Sequence, residues 1–398
     1  MKIKHFICAI LITAAIPAFG QADIEELEIV NETNTDEGFI HDGLIRVQDD
    51  NMKFGFIDKT GMVVIPCKWE GAKDFSGSLA GVQDDNYNWG FIDKSGKVAC
   101  PCKWEDVRDF SEGLAGVQDD NDKWGFIDTT GKMVIPCKWK DVGDYSEGLA
   151  VVQDDDGKWG FIDKTGKMVA TCKWADAWDF SDGLGLVRDH NGKFGFIDKS
   201  GKVVVPCKWK DAWRFSKGLA IVQDDNDKCG FIDKTGKVVL PCKWKDAWNF
   251  SEDLAMVKGD NDNRGFIDIT GNVVIPCEWD FANDFSDGLS KVRDEYGVEN
   301  FIDKTGKVVI PCKWNIASDF SEGLVRVKDD NGKWGFIDKA GNMVSPFEWN
   351  DSDDFSEGLA PVQHDNGKWG FIDKTGKVVI PCTWLDVADL SLREAIER

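Results

Sequence analysis

A chain of 398 residues with 42% hydrophobic content has enough apolar material for a continuous core, and 71 acidic against 48 basic residues leave it a net charge of −23. That balance repels nucleic acid and anionic membranes, which excludes binding to either through a basic patch, and it attracts cations and basic partners. Length alone would suggest two or three domains, but a strict internal repeat overrides that expectation.

Residues 1–20 read as a secretory signal peptide. Lys2 and Lys4 open it, Phe6 to Ile16 is apolar, and Ala18-Phe19-Gly20 puts small residues where a signal peptidase reads. Cleavage is expected after Gly20, with Ala22 as the alternative, and the protein is expected to be exported to a periplasmic, cell-surface or secreted location. No other stretch approaches the roughly 18 apolar residues of a membrane-spanning helix. Residues 21–38 are acidic and polar, and are expected to form a flexible lead-in or a short capping segment.

From about Ile40 the same text returns every 35 residues. The Gly before Phe-Ile-Asp marks the period at Gly55, Gly90, Gly125 and onward to Gly370, and only Asn300 breaks the series. An unslipped period over ten units means a repeat architecture. Each unit is expected to form three strands. The first is Gly-Leu-Ala-x-Val-x-Asp, as at 113–119, whose alternation suits a half-buried strand. An Asp-Asn-Gly type of turn leads to the second, Lys-Trp-Gly-Phe-Ile-Asp, as at 333–338. Lys-Thr-Gly-Lys then turns into the third, Val-Val-Ile-Pro-Cys-x-Trp, as at 378–384, whose Pro points to an edge or a bend. A loop of about six residues returns to the next unit. The last unit stops after Trp384, and Ser391-Leu392-Arg393-Glu394 has the form of a capping box, so residues 389–398 are expected to form a short C-terminal capping helix.

The fold expected from this pattern is all-β: over residues 39–388, a tandem array of ten three-stranded antiparallel units, open, twisted and solenoid-like. The alternative is a closed β-propeller-like ring or rings. Propellers usually carry roughly four to eight blades of four strands, which ten units of three match poorly.

The recurrent Lys-Trp-Gly-Phe-Ile-Asp-Lys-Thr-Gly-Lys-Val-Val-Ile-Pro, followed by Phe-Ser-Glu-Gly-Leu-Ala-x-Val, resembles the WG-repeat family of bacterial β-repeat proteins across all ten units. The resemblance implies an exported all-β repeat protein with a binding function and no catalytic residues to carry over. The chain departs from the family where Phe54, Phe194, Cys229, Arg264 and Glu299 replace the Trp before Gly, and where Trp69, Trp104 and their equivalents stand in place of Tyr.

Ten units compared within one chain separate core from surface. The third-strand Trp is present in every unit, from Trp69 to Trp384, which marks a core anchor, with an aromatic ligand ladder as the competing reading. Nine units place Cys two residues earlier and the ninth unit has Phe347 there, so the slot is an apolar pocket. In one continuous sheet, equivalent cysteines would lie about 14 Å apart, beyond the roughly 7 Å a disulfide spans, so mostly free, buried thiols are expected. Cys100-Pro101-Cys102 has no matching second pair, and the four histidines fall at unrelated positions, so neither zinc nor another metal is expected. The Gln-Asp-Asp-Asn turns could ligate calcium, but Asp and Asn are also the ordinary residues of tight turns, and no unit has a complete calcium-loop spacing.

One slot stands apart. It reads Lys73, Arg108, Gly143, then Trp178, Trp213 and Trp248, then Asn283, Ser318, Asp353 and Ala388. A slot this permissive is expected to be exposed, and three aromatics in a row there mark a contact surface for an apolar protein partner or for sugar rings. Duplication of one neutral unit, or packing over the adjacent loop, is the competing reading. The function expected is that of an exported, non-catalytic, monomeric binding or scaffold protein without cofactors. Its partner would be a protein or, alternatively, a cell-envelope polysaccharide held by Trp178, Trp213 and Trp248. A calcium-binding repeat protein is a further alternative, and an enzyme is not expected because no nucleophile, base and orienting group stand out.

Overall fold

The computed structural model describes residues 40–387 apart from 42, 312, 313 and 315, with side chains from Gly43 onward. The expected signal peptide, lead-in and C-terminal cap lie outside the described residues. Ten antiparallel sheets follow one another along the chain, and nine of them have four strands hydrogen-bonded in sequence order. Blade 3 is representative. Its inner strand Asp106–Ser111 pairs with a second strand Leu114–Gln118, then a third Trp124–Asp128 and an outer strand Met133–Trp139. Blades 2–10 begin at Gly71, Asp106, Asp141, Asp176, Asp211, Asp246, Phe281, Ile316 and Asp351.

The array is closed, and the open three-stranded solenoid is overturned on both counts. Asp386–Val387, at the end of the described chain, pairs with Leu44–Gln48 near its start, opposing Val387 to Val47 and Asp386 to Gln48. Ile45, Val47, Ile57 and Val387 share a buried cluster with Leu359, Trp369, Phe371 and Ile380, so the first and last blades meet in the same kind of seam as any neighbours. The fold is a ten-bladed β-propeller ring. The inner strands of successive blades lie against one another, and Ser76 Oγ donates to the Phe110 carbonyl of the next inner strand at 2.7 Å. These strands therefore crowd toward the ring axis.

The strand that the sequence reading took for a loop is this inner one. Its apolar residues sit three apart, as in Val107 and Phe110, because two residues bulge out between them: the register passes from Val107↔Val117 to Phe110↔Ala115. The period-two signature of a strand is lost there. In five of the ten blades the regular part of this strand shrinks to two residues, as at Asp211–Ala212. The half-burial expected of the Leu-Ala-x-Val strand also fails. Leu114, Ala115, Gly116 and Val117 are all buried, because neighbouring blades cover both faces. The outer strand of blade 10 spans Val378–Trp384, as expected, and the proline at its centre is exposed on the rim.

Two further sequence features acquire a cause. In the turn from inner to second strand, Glu112 (φ 51°) and Gly113 (φ 87°) both take positive φ, the twist-matched geometry of a two-residue hairpin. The Gly of Trp-Gly lies beneath the outer strand: a Cβ on Gly125 would stand 2.5 Å from the Ile135 carbonyl oxygen and 2.7 Å from the Cys137 nitrogen. Where Asn300 replaces that Gly, Asn300 pairs with Pro311 in a register that the other blades do not use.

Each seam joins two blades. Trp124, Phe126, Ile135 and Trp139 of blade 3 pack with Val142, Tyr145, Val152 and Ile162 of blade 4, and Phe126 meets Tyr145 edge-on at 4.9 Å. Polar clasps reinforce the apolar contact. Glu112 accepts from Gly148 N at 3.0 Å and pairs with Lys164 at 2.9 Å, both in the following blade. Equivalent pairs recur as Glu252–Lys304 and Glu322–Lys374, and Lys59–Glu357 spans the closing seam. A second set joins lysines of one turn to aspartates of the next blade, from Lys53–Asp85 to Lys368–Asp50.

Candidate functional site: the inner rim

The inner strands present their bulged third and fourth residues at the rim. The third residue packs against the residue that precedes the Gly of the third strand in the same blade. Lys73 lies 5.7 Å over the Trp89 ring and Arg108 lies 5.1 Å over Trp124. Where the third residue is Trp178 it stacks on Phe194 at 5.6 Å and 29°. Trp213 packs on the cluster that contains Cys229, and Arg264 lies 4.9 Å over Trp248. The permissive slot and the Trp-before-Gly slot thus share one volume. A Trp in the first is accompanied by Phe, Cys or Arg in the second.

Trp178, Trp213 and Trp248 occupy neighbouring blades 5, 6 and 7, and all three are half-buried, where an exposed slot was expected. Each packs into a blade-to-blade seam: Trp178 against the cluster of Leu186 and Phe215, Trp213 against Ile221 and Ala255, Trp248 against Met256 and Phe285.

The fourth residue is Asp in seven of the nine blades from 2 to 10, the exceptions being Arg214 and Asn249. The sequence reading missed this ring, although its signal, an Asp just before the loop aromatic, recurs in plain view. Asp74, Asp319 and Asp354 face the preceding blade. Asn283 Nδ2 donates to Asp319 at 2.6 Å, Ser318 Oγ donates to Asp354 at 2.7 Å, and Arg46 Nε donates to Asp74 at 3.0 Å. Arg326 Nε donates to Asp354 at 3.1 Å, and Arg214 approaches Asp179 at 3.9 Å. Burial pushes the Asp144 carboxyl up, against the pull of Arg108 and Lys73. Asp284 is hemmed in by protein while still reached by water. That desolvation, together with the Asp319 charge and against the pull of Arg264, pushes it up to about 6.

The other acidic turns are occupied with their own backbone. Asp119 Oδ1 accepts from the Asn121 and Lys123 amides at 3.0 Å each. Asp163 accepts from the Thr165 hydroxyl and amide, which hold its carboxyl low. Among the described residues, no group of three or more His, Cys, Asp or Glu side chains converges on a metal position. The outer-strand cysteines of the described residues are free; Cys100 is buried and the others are half-buried, and burial pushes the Cys67, Cys102, Cys137 and Cys207 thiols up to about 11. Every unit forms its own sheet, so these cysteines sit on separate sheets and not along one continuous sheet as expected.

The family model for the WG containing repeat matches ten consecutive stretches that run from residue 54 to residue 387. No curated protein matches the chain. Among solved structures, the computationally designed Ika8 protein shares 12% identity over 66% of this chain and 94% of its own, with a TM-score of 0.35. BamB from Moraxella catarrhalis shares 12% over 65% and 90%, with a TM-score of 0.34. The WD40 beta propeller domain of Doa1 shares 11% over 58% and 90%, with a TM-score of 0.27. Likenesses at this level carry no argument.

Proposed function

The chain belongs to the WG repeat family, and we propose that it is an exported, non-catalytic binding scaffold that takes a protein partner on the inner rim of blades 5–7. One observation carries this reading. The three tryptophans at the third inner-strand position fall in blades 5–7, and among the described blades 2–10 the two departures from Asp at the fourth position, Arg214 and Asn249, fall in blades 6 and 7. Elsewhere in blades 2–10 the fourth position is always Asp, while the third varies from Lys73 to Asp353. Apolar surface and a change of charge that coincide in neighbouring blades are how a binding site differs from its scaffold. Export rests on the basic, apolar and small-residue pattern of residues 1–20.

The test restores the common rim residue, removes the Arg214–Asp179 approach and leaves the apolar seams intact. Asp fills this position in the other described blades 2–10, so Arg214→Asp/Asn249→Asp is expected to melt like the parent. It should lose co-sedimentation with the envelope fraction of the source organism. Retention of the parent on purified insoluble polysaccharide would move the partner from protein to sugar. Equal binding by parent and variant would remove the rim of blades 5–7 as the contact surface.

A further inference from the structure

The seams repeat one device at the turn from inner to second strand, and the seam between blades 6 and 7 departs from it. Elsewhere the first turn residue of one blade lends its carboxylate to the next blade. Glu147 accepts from Gly183 N at 3.1 Å and pairs with Lys199 at 2.9 Å, as Glu112 does with Gly148 and Lys164. A turn amide and an ammonium thus make a carboxylate receptor, which the chain fills with its own Glu or Asp. Between blades 6 and 7 the three corresponding residues are Lys217, Asp253 and Ile269. The turn amide is kept at Asp253, whose φ of 75° preserves the hairpin. The carboxylate has become a lysine, and the lysine an isoleucine.

The same end of this seam is also less covered. The aromatic carbonyl of the following inner strand accepts from a serine hydroxyl in other seams, as Phe215 does from Ser181 Oγ at 2.6 Å; here Phe250 accepts from Lys217 Nζ at 3.1 Å. Leu219 and Phe250 are half-buried, whereas their counterparts in the preceding seam, Leu184 and Phe215, are buried. Ile269 is 54% exposed. Apolar surface that the other seams cover therefore lies beside a cation. Among the described blades 2–10, blade 6 alone places a cation at the turn, Lys217, and at the fourth inner-strand position, Arg214. The net charge of −23 does not cancel this local reversal, because charges beyond about 8 Å are screened at physiological salt.

We propose that this end of the seam binds a glutamate side chain of the protein partner, a step that rests on the rim of blades 5–7 being the contact surface. The glutamate carboxylate accepts from the Asp253 amide and from Lys217 Nζ, the same two kinds of donor that hold Glu112 and Glu147. An ammonium has three donors, and the Phe250 carbonyl takes one of them. An apolar neighbour of the glutamate covers Leu219, Phe250 and Ile269. The adjacent turn acid of the chain, Glu252, is engaged elsewhere, with Gly288 N at 3.0 Å and Lys304 at 3.2 Å. The opposing charge at the site is the Asp253 carboxylate. It replaces a turn glycine, and at Gly183 and Gly218 an added Cβ would meet nothing within 4 Å, so the Asp253 side chain projects into open space and weakens the site without filling it.

The first arm of the test titrates the full chain with acetyl-Phe-Ser-Glu-Gly-Leu-Ala-amide, the sequence of residues 110–115, and with its Gln counterpart, and follows backbone amide shifts. The Glu peptide should move the Asp253 amide and bind about tenfold tighter than the Gln peptide. Lys217→Glu/Ile269→Lys rebuilds the clasp of the other seams, so it should melt at or above the parent's midpoint and lose the preference for Glu. Asp253→Gly should bind the Glu peptide about threefold tighter than the parent. An Asp253 amide that does not move, equal affinity for the two peptides, or a rebuilt variant that still prefers Glu overturns the proposal. The second arm measures co-sedimentation of the rebuilt variant with the envelope fraction, where loss is expected. Retention by this variant, where Arg214→Asp/Asn249→Asp loses binding, would strike the glutamate site and leave the rim as the contact surface.

Discussion

A methyl group on Gly125 tests how the repeat motif builds a blade. The added Cβ would lie 2.5 Å from the Ile135 oxygen, 2.7 Å from the Cys137 nitrogen and 2.8 Å from the Pro136 carbonyl carbon. All three are backbone atoms, so no side chain can swing away and the outer strand itself must lift. Blade 8, with Asn300 at this position, shows how the strand answers a side chain there: Asn300 pairs with Pro311, a pairing the other blades lack. Trp139, at the end of the strand that must lift, is only 8% exposed. A tryptophan buries about 200 Å², which at about 25 cal/mol/Å² is worth about 5 kcal/mol. Lifting the strand far enough to expose half of the Trp139 side chain forfeits about half of that, so Gly125→Ala should cost about 2–3 kcal/mol, or a fall in melting midpoint of about 3–5 °C in a chain of this size. Amide exchange should accelerate in Met133–Trp139 before any other strand. The reciprocal Asn300→Gly should remove the Asn300–Pro311 pairing, give blade 8 the register of the other blades and raise stability by about 1 kcal/mol, after the entropic cost of glycine of about 0.5–1 kcal/mol. A Gly125→Ala variant with unchanged midpoint and unchanged exchange in 133–139 would refute the close approach as the reason for the motif.

Three further outcomes follow from the rim and the seams. Asp284 is raised to about 6 in the folded chain against an ordinary 3.8, so folding favours its protonated form; the parent has that benefit below about pH 4 and loses it as pH rises through 6. Asp284→Asn should therefore be more stable than the parent at pH 7.5, by about 1 kcal/mol or less because water reaches the carboxylate, and the gap should close at pH 4; a gap that widens in acid refutes the assignment. Ser345→Ile exchanges the 3.0 Å bond from Trp349 Nε1 for the aliphatic residue found at Ile135 and Ile380. The lost bond and orphaned indole cost about 2 kcal/mol and the buried methyls return about 2 kcal/mol, so unfolding in urea should shift by less than about 1 kcal/mol; a larger loss would mean that the indole bond dominates that seam. The outer-strand thiols, pushed up to about 11 at Cys67 and Cys102, should label slowly with a disulfide reagent at pH 8 in the native ring and rapidly in denaturant, and equal rates would show that the seams do not shield them.

What the sequence displayed and what it concealed separate along physical lines. The period, the turns and the outer strand Val378–Trp384 were legible because hairpin chemistry and a sparse Trp-Cys pattern are local signals. The inner strand was concealed because its bulge moves Ala72 and Phe75 to a spacing of three, and counting three strands per unit then argued against a ring. The clasp between Glu112 and Lys164 joins residues 52 apart, a separation with meaning only once blades are stacked. The Trp178, Trp213 and Trp248 slot was read as surface because it accepts Lys, Gly and Asp. Its partner slot changes in step, from Trp89 and Trp124 to Phe194, Cys229 and Arg264, and the two are neighbours only across the strand that had been taken for a loop.

Closure itself follows from a gradient in side-chain size across the blade. At the inner strand the second residue is Ala or Val in nine of ten blades and Ser352 in the other, and the inner strands can crowd because these side chains are small. At the outer side of the blade every unit carries the same Trp, from Trp69 to Trp384, and it props adjacent blades apart. Each blade is therefore a wedge, and the seam repeats the same angle because the same residues fill it. Ten equal wedges return the chain to its start with the Lys59–Glu357 and Lys368–Asp50 pairs formed as in any other seam. The unslipped period is what makes this possible. One residue inserted into an inner strand would turn its Ala or Val out of the seam and change one angle in ten, and the error would appear in full at the single place where the ring is not covalently continuous, the Val47–Val387 rung.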